Sequence, residues 1–392
     1  KNINFKGICD GNIEDIIYDY FDLNRDYERI KETLSEIDEN MKNGLYCSID
    51  WLSFTVLDNV DLDTTIAEFG FTIEDFFECP RGANGYKKML SMIGSNLRVL
   101  YDGADNMGIH FDVSGSAMSD FYEVYYKSCF NNETPFGELA IDMELDVVKS
   151  LFRRIQELGH ITRLDLSIDN KTDIYYSVRQ LHEQLSLGRF VSKWRTYKFI
   201  EEKETNGNCV GRTIYMGSRT SDIMLRVYDK ELEQNKKYPD ADDVNHVNYR
   251  WVRWELELKD ERANMVVNHI LSGKSVGYIA VGILSNYLRL INFDDSNKSR
   301  CSSQSVWESF IDDVSVLRLY VSHEEKTLEM KKDWLIHQCA PTIAGIIMAN
   351  HGDFSFLSEC IDAHAMRMNK KLRELVTAVN PEWEKQLLAF QG

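Results

Sequence analysis

One tyrosine in this sequence lies between two cationic residues, in a pattern that suits chemistry on a phosphate. From Ile223 to Lys230 the residues alternate as they do in a β-strand, whose side chains point in turn to opposite faces. Arg226, Tyr228 and Lys230 share one face, and apolar residues dominate the other. A phenol becomes a nucleophile when it loses its proton, and neighbouring cations suit an anionic target. The same pattern also fits a half-buried strand tyrosine beside ordinary surface charges, and both interpretations stay open here.

Three further segments, 108–114, 160–170 and 251–259, show the same alternation of an aliphatic face and a polar face. If these strands lie side by side in one antiparallel sheet, their polar faces form a common floor. Carboxylates with one imidazole would bind Mg²⁺ or Mn²⁺, because these hard ions prefer oxygen ligands. Ion-paired strand surfaces would explain the same residues without any site. The candidate metal ligands are His110, Asp165, Glu255 and Glu257.

A polar floor of this kind could support phosphodiester chemistry. Arg226 and Arg253 could bracket a phosphate, since guanidinium groups bind its oxygens in pairs. A bound ion would polarise a non-bridging oxygen and stabilise the developing charge while the tyrosinate attacks. The predicted catalytic residues are Tyr228, Arg226 and Lys230.

The segment Arg189–Lys198 is basic and contains aromatic residues but no acid. A cationic surface with interleaved rings suits nucleic acid, whereas a solvated sheet edge would have the same composition. Together with residues from the turn before the tyrosine strand and from the last alternating strand, it supplies the predicted DNA contacts. These are Arg189, Lys193, Arg195, Lys198, Arg219 and Arg253.

One short segment shows a weak similarity to a phosphate-binding loop. Gly273, Lys274 and Ser275 resemble the end of a phosphate-binding P-loop, but the glycine required upstream is Asn268 here. We therefore assign no nucleotide-phosphate loop to this segment.

The composition describes a globular chain of 392 residues, long enough for two or three domains. Its 8 cysteines are scattered without a CxxC pair, which favours free thiols in a reducing cytoplasm over a zinc knuckle or a disulfide framework. The formal charge of −18 argues against nucleic acid as a partner, but DNA is held by local patches and not by the far field. The longest apolar stretches are too short to span a bilayer, so we expect a cytoplasmic protein without a membrane partner.

We predict the α+β class, with a central antiparallel sheet flanked by helices and a helical C-terminal region. The pattern is helical over 12–43, mixed up to about residue 262, and helical beyond it. We accordingly divide the chain into an N-terminal helical arm (1–43), a catalytic domain (44–262) and a helical C-terminal region (263–392). The predicted helices include 64–77, 173–187, 275–290, 306–319, 324–337, 342–350, 354–378 and 382–389.

Three motifs in this chain resemble the replication initiation factor family. They are TRLDLSID, YMGSRTSDIMLRVYDKELE and RWELELK, in that order. The resemblance covers about residues 45–261 and extends more loosely into the helical tail. The family includes the initiators of staphylococcal-type rolling-circle plasmids and MobT-type relaxases of integrative and conjugative elements, and the length of this chain and its tail are more like those relaxases.

The resemblance implies a Rep/relaxase-like nicking domain with Tyr228 as the nucleophile. It would attack one strand at the origin, become joined to the 5′-phosphate and release a 3′-hydroxyl, before the strand is rejoined. Asp165 and Glu255 or Glu257 would be the acidic positions that supply metal ligands, and His110 lies where plasmid members carry a glutamate. The expected partners are origin DNA, as a single-stranded or hairpin nick site with flanking duplex, and a helicase or accessory processing protein, with a homodimer as an open alternative.

Several readings of the function remain open at this point. The chain could start conjugative transfer, or act as a plasmid or phage replication initiator. It could be a non-catalytic origin-binding relative that has kept the fold, or an unrelated metal phosphoesterase that uses water. Many of these relaxases begin with a helix-turn-helix domain, which residues 1–43 do not resemble. Because the chain has no initiator methionine, we expect it to be incomplete at its start.

Overall fold

In the computed structural model, a large antiparallel sheet organises the chain. The structure describes residues 44–57, 61–130, 136, 139, 141–241, 243, 245–319, 328, 331–332, 335–364, 368, 370–383 and 385. Numbered along the chain, its strands are β1 (Leu45–Val56), β2 (Phe76–Glu78), β3 (Lys88–Met92), β4 (Leu97–Tyr101), β5 (Ile109–Ser114), β6 (Gly159–Asn170), β7 (Phe190–Ser192), β8 (Tyr197–Lys203), β9 (Cys209–Met216), β10 (Ile223–Asp229), β11 (Val252–Lys259) and β12 (Leu288–Leu290).

Among the described residues, ten of these strands form one sheet in the order β2-β3-β4-β5-β1-β6-β11-β10-β9-β8. Each strand pairs antiparallel with its neighbours. The small strands β7 and β12 pair separately. The three strands that carry the family-like motifs are therefore neighbours in the order β6, β11, β10. In the sequence, 52 residues (171–222) lie between β6 and β10, and 22 residues (230–251) lie between β10 and β11.

The helices of the described residues are α1 (Leu62–Ala67), α2 (Ala117–Phe130), α3 (Ile141–Leu158), α4 (Val178–Ser186), α5 (Lys230–Lys237), α6 (Asp260–Leu271), α7 (Val276–Tyr287), α8 (Ser305–Ser315), α9 (Ala340–Ala349), α10 (Ser355–His364) and α11 (Lys370–Val379). Helices α2, α3, α4, α6, α7 and α8 contribute to the buried cluster that packs on the apolar face of the sheet. Trp254 on β11 shows the packing, because its ring centroid lies 5.1 Å from that of Phe310 and 6.0 Å from that of Trp307, both on α8. The aliphatic side chains of β6 and β10 belong to the same buried cluster.

The alternation seen in the sequence thus becomes two chemically different faces. Burial of the apolar face against the helices removes large aliphatic and aromatic surfaces from water, which is the main driving force for this arrangement. The opposite face keeps the polar residues of β6, β11 and β10 together. The predicted α+β class with a central antiparallel sheet flanked by helices is confirmed.

Several predicted elements end earlier than the periodicity suggested. The predicted helix over 64–77 is only α1, since Gly70 has a φ of +85° and turns the chain toward β2. The predicted helix over 275–290 ends at Tyr287, after which β12 begins. Lys230 does not continue the tyrosine strand but begins α5.

The turn that leads into β10 needs its glycine. Gly217 has a φ of +95°, and a Cβ atom there would lie 2.9 Å from Cδ1 of Trp194. The indole Nε1 of Trp194 donates a hydrogen bond to the carbonyl oxygen of Ile223, at 3.1 Å. The glycine of the MGSRT motif therefore lets the basic segment 189–198 hold the first residue of the tyrosine strand.

The chain divides into two compact units, Lys1–Ser322 and His323–Gly392. The sheet and helices α1 to α8 belong to the first unit, and α9 to α11 belong to the second. The predicted arm over 1–43 lies outside the described residues, as do parts of the helices predicted over 324–337 and 382–389. The functional division at residue 262 stays a prediction. In the described part of the chain, no helix is long and apolar enough to cross a membrane.

Candidate active site

Tyr228 lies on the polar face of the sheet and contacts two of the residues singled out with it. Its hydroxyl donates a hydrogen bond to Oε2 of Glu255 on β11, at 3.2 Å. The same carboxylate oxygen accepts a shorter bond, 2.7 Å, from Nη2 of Arg226. The guanidinium of Arg226 also lies 4.4 Å from the centroid of the Tyr228 ring. The strand register explains this contact, because Arg226 is directly opposite Glu255.

The phenol of Tyr228 is largely shielded from water, with only 5% of the residue exposed. Burial is the largest cause that raises its pKa well above the usual range, and the Glu255 carboxylate raises it further. Arg253 and Arg226 act in the opposite direction because they stabilise the tyrosinate. Formation of a nucleophile here consequently depends on a nearby base and on the two cations.

A second acidic group lies beside this one on the same face. Asp165 on β6 and Glu257 on β11 are directly opposite each other in the strand register. Arg163 joins them: its Nη2 lies 2.5 Å from Oδ2 of Asp165 and 3.1 Å from Oε2 of Glu257. Lys259 pairs with the other Glu257 oxygen at 2.9 Å. These two acids, with Glu255 two residues before Glu257 on the same strand, form the acidic part of the floor.

Asp165 is fully buried, and this changes its protonation. Burial raises the pKa of its carboxyl to about 8, and although the Arg163 guanidinium lowers it, the carboxylates of Glu255 and Glu257 add to the increase. A carboxyl in this state gains from an additional cation nearby, because the cation stabilises the ionised form. Among the described residues, however, no three His, Cys, Asp or Glu side chains are already grouped so as to hold an ion.

His110 is not brought to these acids. Its Nδ1 lies 3.0 Å from the hydroxyl oxygen of Thr55 on β1, and Thr55 is opposite His160 at the beginning of β6. Asp165 is five residues further along β6, a distance of about 16 Å at ~3.3 Å per residue. The His110 ring stacks on Tyr86 with centroids 6.0 Å apart, and burial lowers its pKa. The structure gives this histidine a structural setting, and its assignment as a ligand with the acids stays an untested prediction.

Arg253 also differs from its predicted setting, since it lies inside the polar face and not on its surface. Its Nε and Nη2 donate to the two carboxylate oxygens of Asp169, at 2.7 and 2.8 Å, and its Nη1 donates to Asp50. Burial opposes the charge of Arg253, but the two carboxylates more than offset this effect and raise its pKa. The alternation in the sequence did not identify Asp50 as a member of this polar face. Asp50 follows Ile49 at a register shift in β1, and strict alternation does not predict the direction of a bulged residue.

The remaining predicted residues lie near the surface. Lys230 pairs with Glu233 on the next helical turn, and its Nζ is 5.7 Å from the Tyr228 ring centroid. The predicted DNA contacts other than Arg253 are exposed, and they are Arg189, Lys193, Arg195, Lys198 and Arg219. Their contact with DNA stays a prediction.

The site and the fold together define a class of protein. The family model described as replication initiation factor matches residues 159–361, which include β6, β10 and β11 with all three motifs. The chain belongs to the replication initiation factor family.

Two known proteins show how far the similarity extends. A candidate DNA relaxase called NicK, from Bacillus subtilis (strain 168), is 28% identical over 352 residues, which are 88% of this chain and 94% of that protein. The structure of the rolling circle replication initiator protein from Geobacillus stearothermophilus is 28% identical in sequence and superposes with a TM-score of 0.57. It covers 71% of this chain and 100% of its own. The similarity therefore extends over most of this chain.

Proposed function

We propose that this protein is a DNA strand transferase that nicks and rejoins one strand at an origin, as a relaxase or rolling-circle initiator. The observation that carries the proposal is the contact of the Tyr228 hydroxyl with Glu255 and Arg226, within the segment that matches the family model. The names of the two similar proteins, a relaxase and a rolling circle replication initiator, support the same reading. The nicked strand would start conjugative transfer or rolling-circle replication of a mobile element.

In the proposed reaction, Glu255 accepts the phenolic proton of Tyr228. The phenolate oxygen forms a bond to phosphorus, the bond between phosphorus and the 3′ oxygen breaks, and the leaving oxygen takes up a proton as the 3′-hydroxyl. The strand is then held as a 5′-phosphotyrosine, and attack by a 3′-hydroxyl reverses the sequence and rejoins it. Glu255 suits the task by position, because it already accepts a hydrogen bond from the phenol.

Arg226 would neutralise the phosphate during this attack. Its side chain is one-third exposed, whereas Tyr228 and Glu255 beneath it are buried. A phosphate that approaches the floor from solvent therefore meets this guanidinium first. By turning from Glu255 to the phosphate, Arg226 would stabilise the developing charge and free the carboxylate to act as a base.

The acidic part of the floor fits a divalent ion by the chemistry of its donors. Asp165 and Glu257, with Glu255 beside them, offer the carboxylate oxygens that Mg²⁺ and Mn²⁺ prefer. The raised pKa of Asp165 also fits, since a bound cation would ionise it. When bound, the ion would polarise the phosphate and stabilise its charge. Arg163, which now joins Asp165 to Glu257, would have to release them first.

A denaturing gel tests the function and its metal requirement. Labelled single strands tiled across the DNA that flanks the gene of this chain should give one covalent protein–DNA product in Mn²⁺ or Mg²⁺, and EDTA should remove it. Because the ion competes with a proton on Asp165, less metal should be needed at pH 9 than at pH 7. Full adduct formation in EDTA would refute the metal requirement. Nicking of generic phosphodiesters without an adduct would indicate a phosphoesterase that uses water.

The variant Glu255→Gln tests the proposed base. Glutamine keeps the shape and can still accept the hydrogen bond of Tyr228, but it cannot take the proton, so the single-turnover rate of adduct formation should fall by roughly 10²–10⁴-fold. DNA affinity and the melting temperature should change little by comparison. Glu202→Gln, at an exposed glutamate paired with Lys236, serves as the matched control. A rate within a few-fold of the wild type would show that another group accepts the proton.

A non-catalytic origin-binding role is the second candidate, and the shielding of the phenol favours it. Only 5% of Tyr228 is exposed, so DNA would have to displace covering side chains before attack. Tight binding of the tiled strands without an adduct, across several divalent ions, would establish this role. A helicase partner and a homodimer stay predictions for either role.

A further inference from the structure

A cleft away from the tyrosine lacks acidic residues, although the chain as a whole carries a charge of −18. It lies between α6, α7 and the beginning of β10, and its volume is about 560 Å³. Pockets of roughly 300–1,000 Å³ hold compact ligands in proteins. The basic and aromatic residues that line it are Lys193, Arg262, His269, Lys274, Tyr278 and Tyr287.

The cations of this cleft are available for a ligand. No described carboxylate forms an ion pair with Arg262 or Lys274, and the Nζ of Lys193 donates to the neutral amide oxygen of Asn286, at 2.5 Å, and to no described carboxylate. Arg262 and Lys274 are both exposed. The contrast with the floor is clear, because the basic side chains there are paired with acids. Concentrated positive charge without counter-charges attracts an anion.

The aromatic rings stand beside these cations. Tyr278 is 58% exposed, and the Nζ of Lys274 lies 6.0 Å from its ring centroid. The Nζ of Lys193 lies 5.6 Å from the ring centroid of Tyr287. An exposed ring beside a cation offers a stacking surface for a base and a partner for the adjoining phosphate, which is the combination that binds single-stranded nucleic acid. A small anion without a base would not use the aromatic rings, so the rings favour nucleic acid as the ligand.

The position of the cleft relates it to the tyrosine. Ile223 lines it and is five residues before Tyr228 on β10, about 16 Å along the strand. The two residues point to opposite faces, so the cleft lies on the helical side of the sheet. Beyond Ile223, at the end of the strands, Lys259 donates to the carbonyl oxygen of Arg219 in the exposed turn before β10. Lys259 and Arg219 are therefore basic residues at the strand end from which the cleft opens.

We propose that this cleft is a second DNA-binding site, which holds a single-stranded segment at a distance from the nick. Arg262, Lys274 and Lys193 bind its phosphates, and a base stacks on Tyr278. The proposal rests on the nicking function given above, and it deepens that function by adding a grip on the strand outside the reaction centre. In the P-loop-like segment Gly273-Lys274-Ser275, the lysine then binds a phosphate of the DNA strand and not a nucleoside triphosphate.

The test measures binding of a fluorescent oligothymidylate, longer than the roughly 4–16 nucleotides that a single-stranded site covers, across a range of salt concentrations. Each phosphate contact contributes about 0.7 to the slope of log affinity against log salt for single strands. Arg262→Ala combined with Lys274→Ala should therefore lower the slope by about 1.4 and weaken binding at low salt. The control, Lys203→Ala with Lys236→Ala, removes the same charge from exposed residues paired with Glu201 and Glu202, and should leave the slope nearly unchanged.

A second pair of variants tests the ring. Tyr278→Ala should weaken binding by about fivefold or more, the loss expected for one stacked base, whereas Tyr278→Phe should retain it. Because this ring is exposed, its truncation should not impair folding, and an unchanged melting temperature of the variant would confirm this. A slope and affinity equal to those of the wild type in the double variant would overturn the proposal, as would capture of an acidic peptide with no change in DNA binding.

The adduct assay separates failure of the cleft from failure of the nicking function. With a short oligonucleotide that contains only the nick site, the double variant should form adduct at the wild-type rate. If the wild type forms no adduct with any strand, the nicking function fails, and the oligothymidylate measurement still decides the cleft.

Discussion

Tyr228→Phe should fold and bind DNA like the wild type but form no covalent adduct. The substitution removes a single oxygen atom, which is the atom proposed to attack phosphorus. The buried ring and the bond from Arg226 to Glu255 both remain possible without it. The cost to the free energy of unfolding should be about 1 kcal/mol, the usual net value of one hydrogen bond. Adduct formation should fall by at least roughly 10³-fold, because the proposed nucleophilic oxygen is absent.

The measurement is the denaturing gel with labelled strand, made quantitative by single-turnover kinetics. Tyr215→Phe is the matched control, because Tyr215 lies on β9 directly opposite Arg226 and is the tyrosine of the neighbouring strand. It should retain adduct formation. A covalent product in the Tyr228→Phe protein that disappears in the Tyr215→Phe protein would move the nucleophile to β9.

Arg253→Met should destabilise the first unit severely. Arg253 is 6% exposed and Asp169 4% exposed, so the substitution leaves the buried Asp169 carboxylate without its cationic partner, with the Asp50 carboxylate close by. Breaking a buried ion pair from one side costs roughly 3–5 kcal/mol in the free energy of unfolding. For a unit of this size, the melting temperature should fall by on the order of 10 °C. Calorimetry or circular dichroism measures the loss.

Two further variants make this expectation specific to the buried group. Adding Asp169→Asn to Arg253→Met should recover part of the loss, since it removes the uncompensated charge. Lys236→Met breaks an exposed pair with Glu202 and should change stability by less than about 1 kcal/mol. If Arg253→Met melts like the wild type but loses DNA affinity, the earlier prediction of a DNA contact is correct and the structural role is wrong.

The polar floor could be predicted because it depends only on alternation. Arg226, Tyr228, Glu255 and Asp165 lie on the predicted face, and the three motif strands are neighbours as required. The partners on that face could not be predicted in the same way. Alternation assigns a residue to a face, but the register between strands decides that Arg226 meets Glu255 and that Arg163 joins Asp165 to Glu257.

Two other features depend on information that periodicity does not contain. Helix α2 has its polar and apolar residues mixed and was not predicted, although six of its residues are buried against the sheet. The long-range position of His110 follows from strand order, because β1 enters between β5 and β6. A sequence can show that His110 has a metal-binding side chain, but only the assembled sheet shows how far it is from Asp165.

The outermost strand β8 has a consequence for how copies of this protein can meet. An unpaired strand edge is a template for another chain, and charged side chains are a common protection against such pairing. Glu201, Glu202 and Lys203 are exposed there, and pairing with another strand would have to desolvate all three charged side chains. At the far end of the sheet, β2 has only three residues. Sheet extension at the two described edges is thus disfavoured, and among the described elements we expect self-association to use helices or loops.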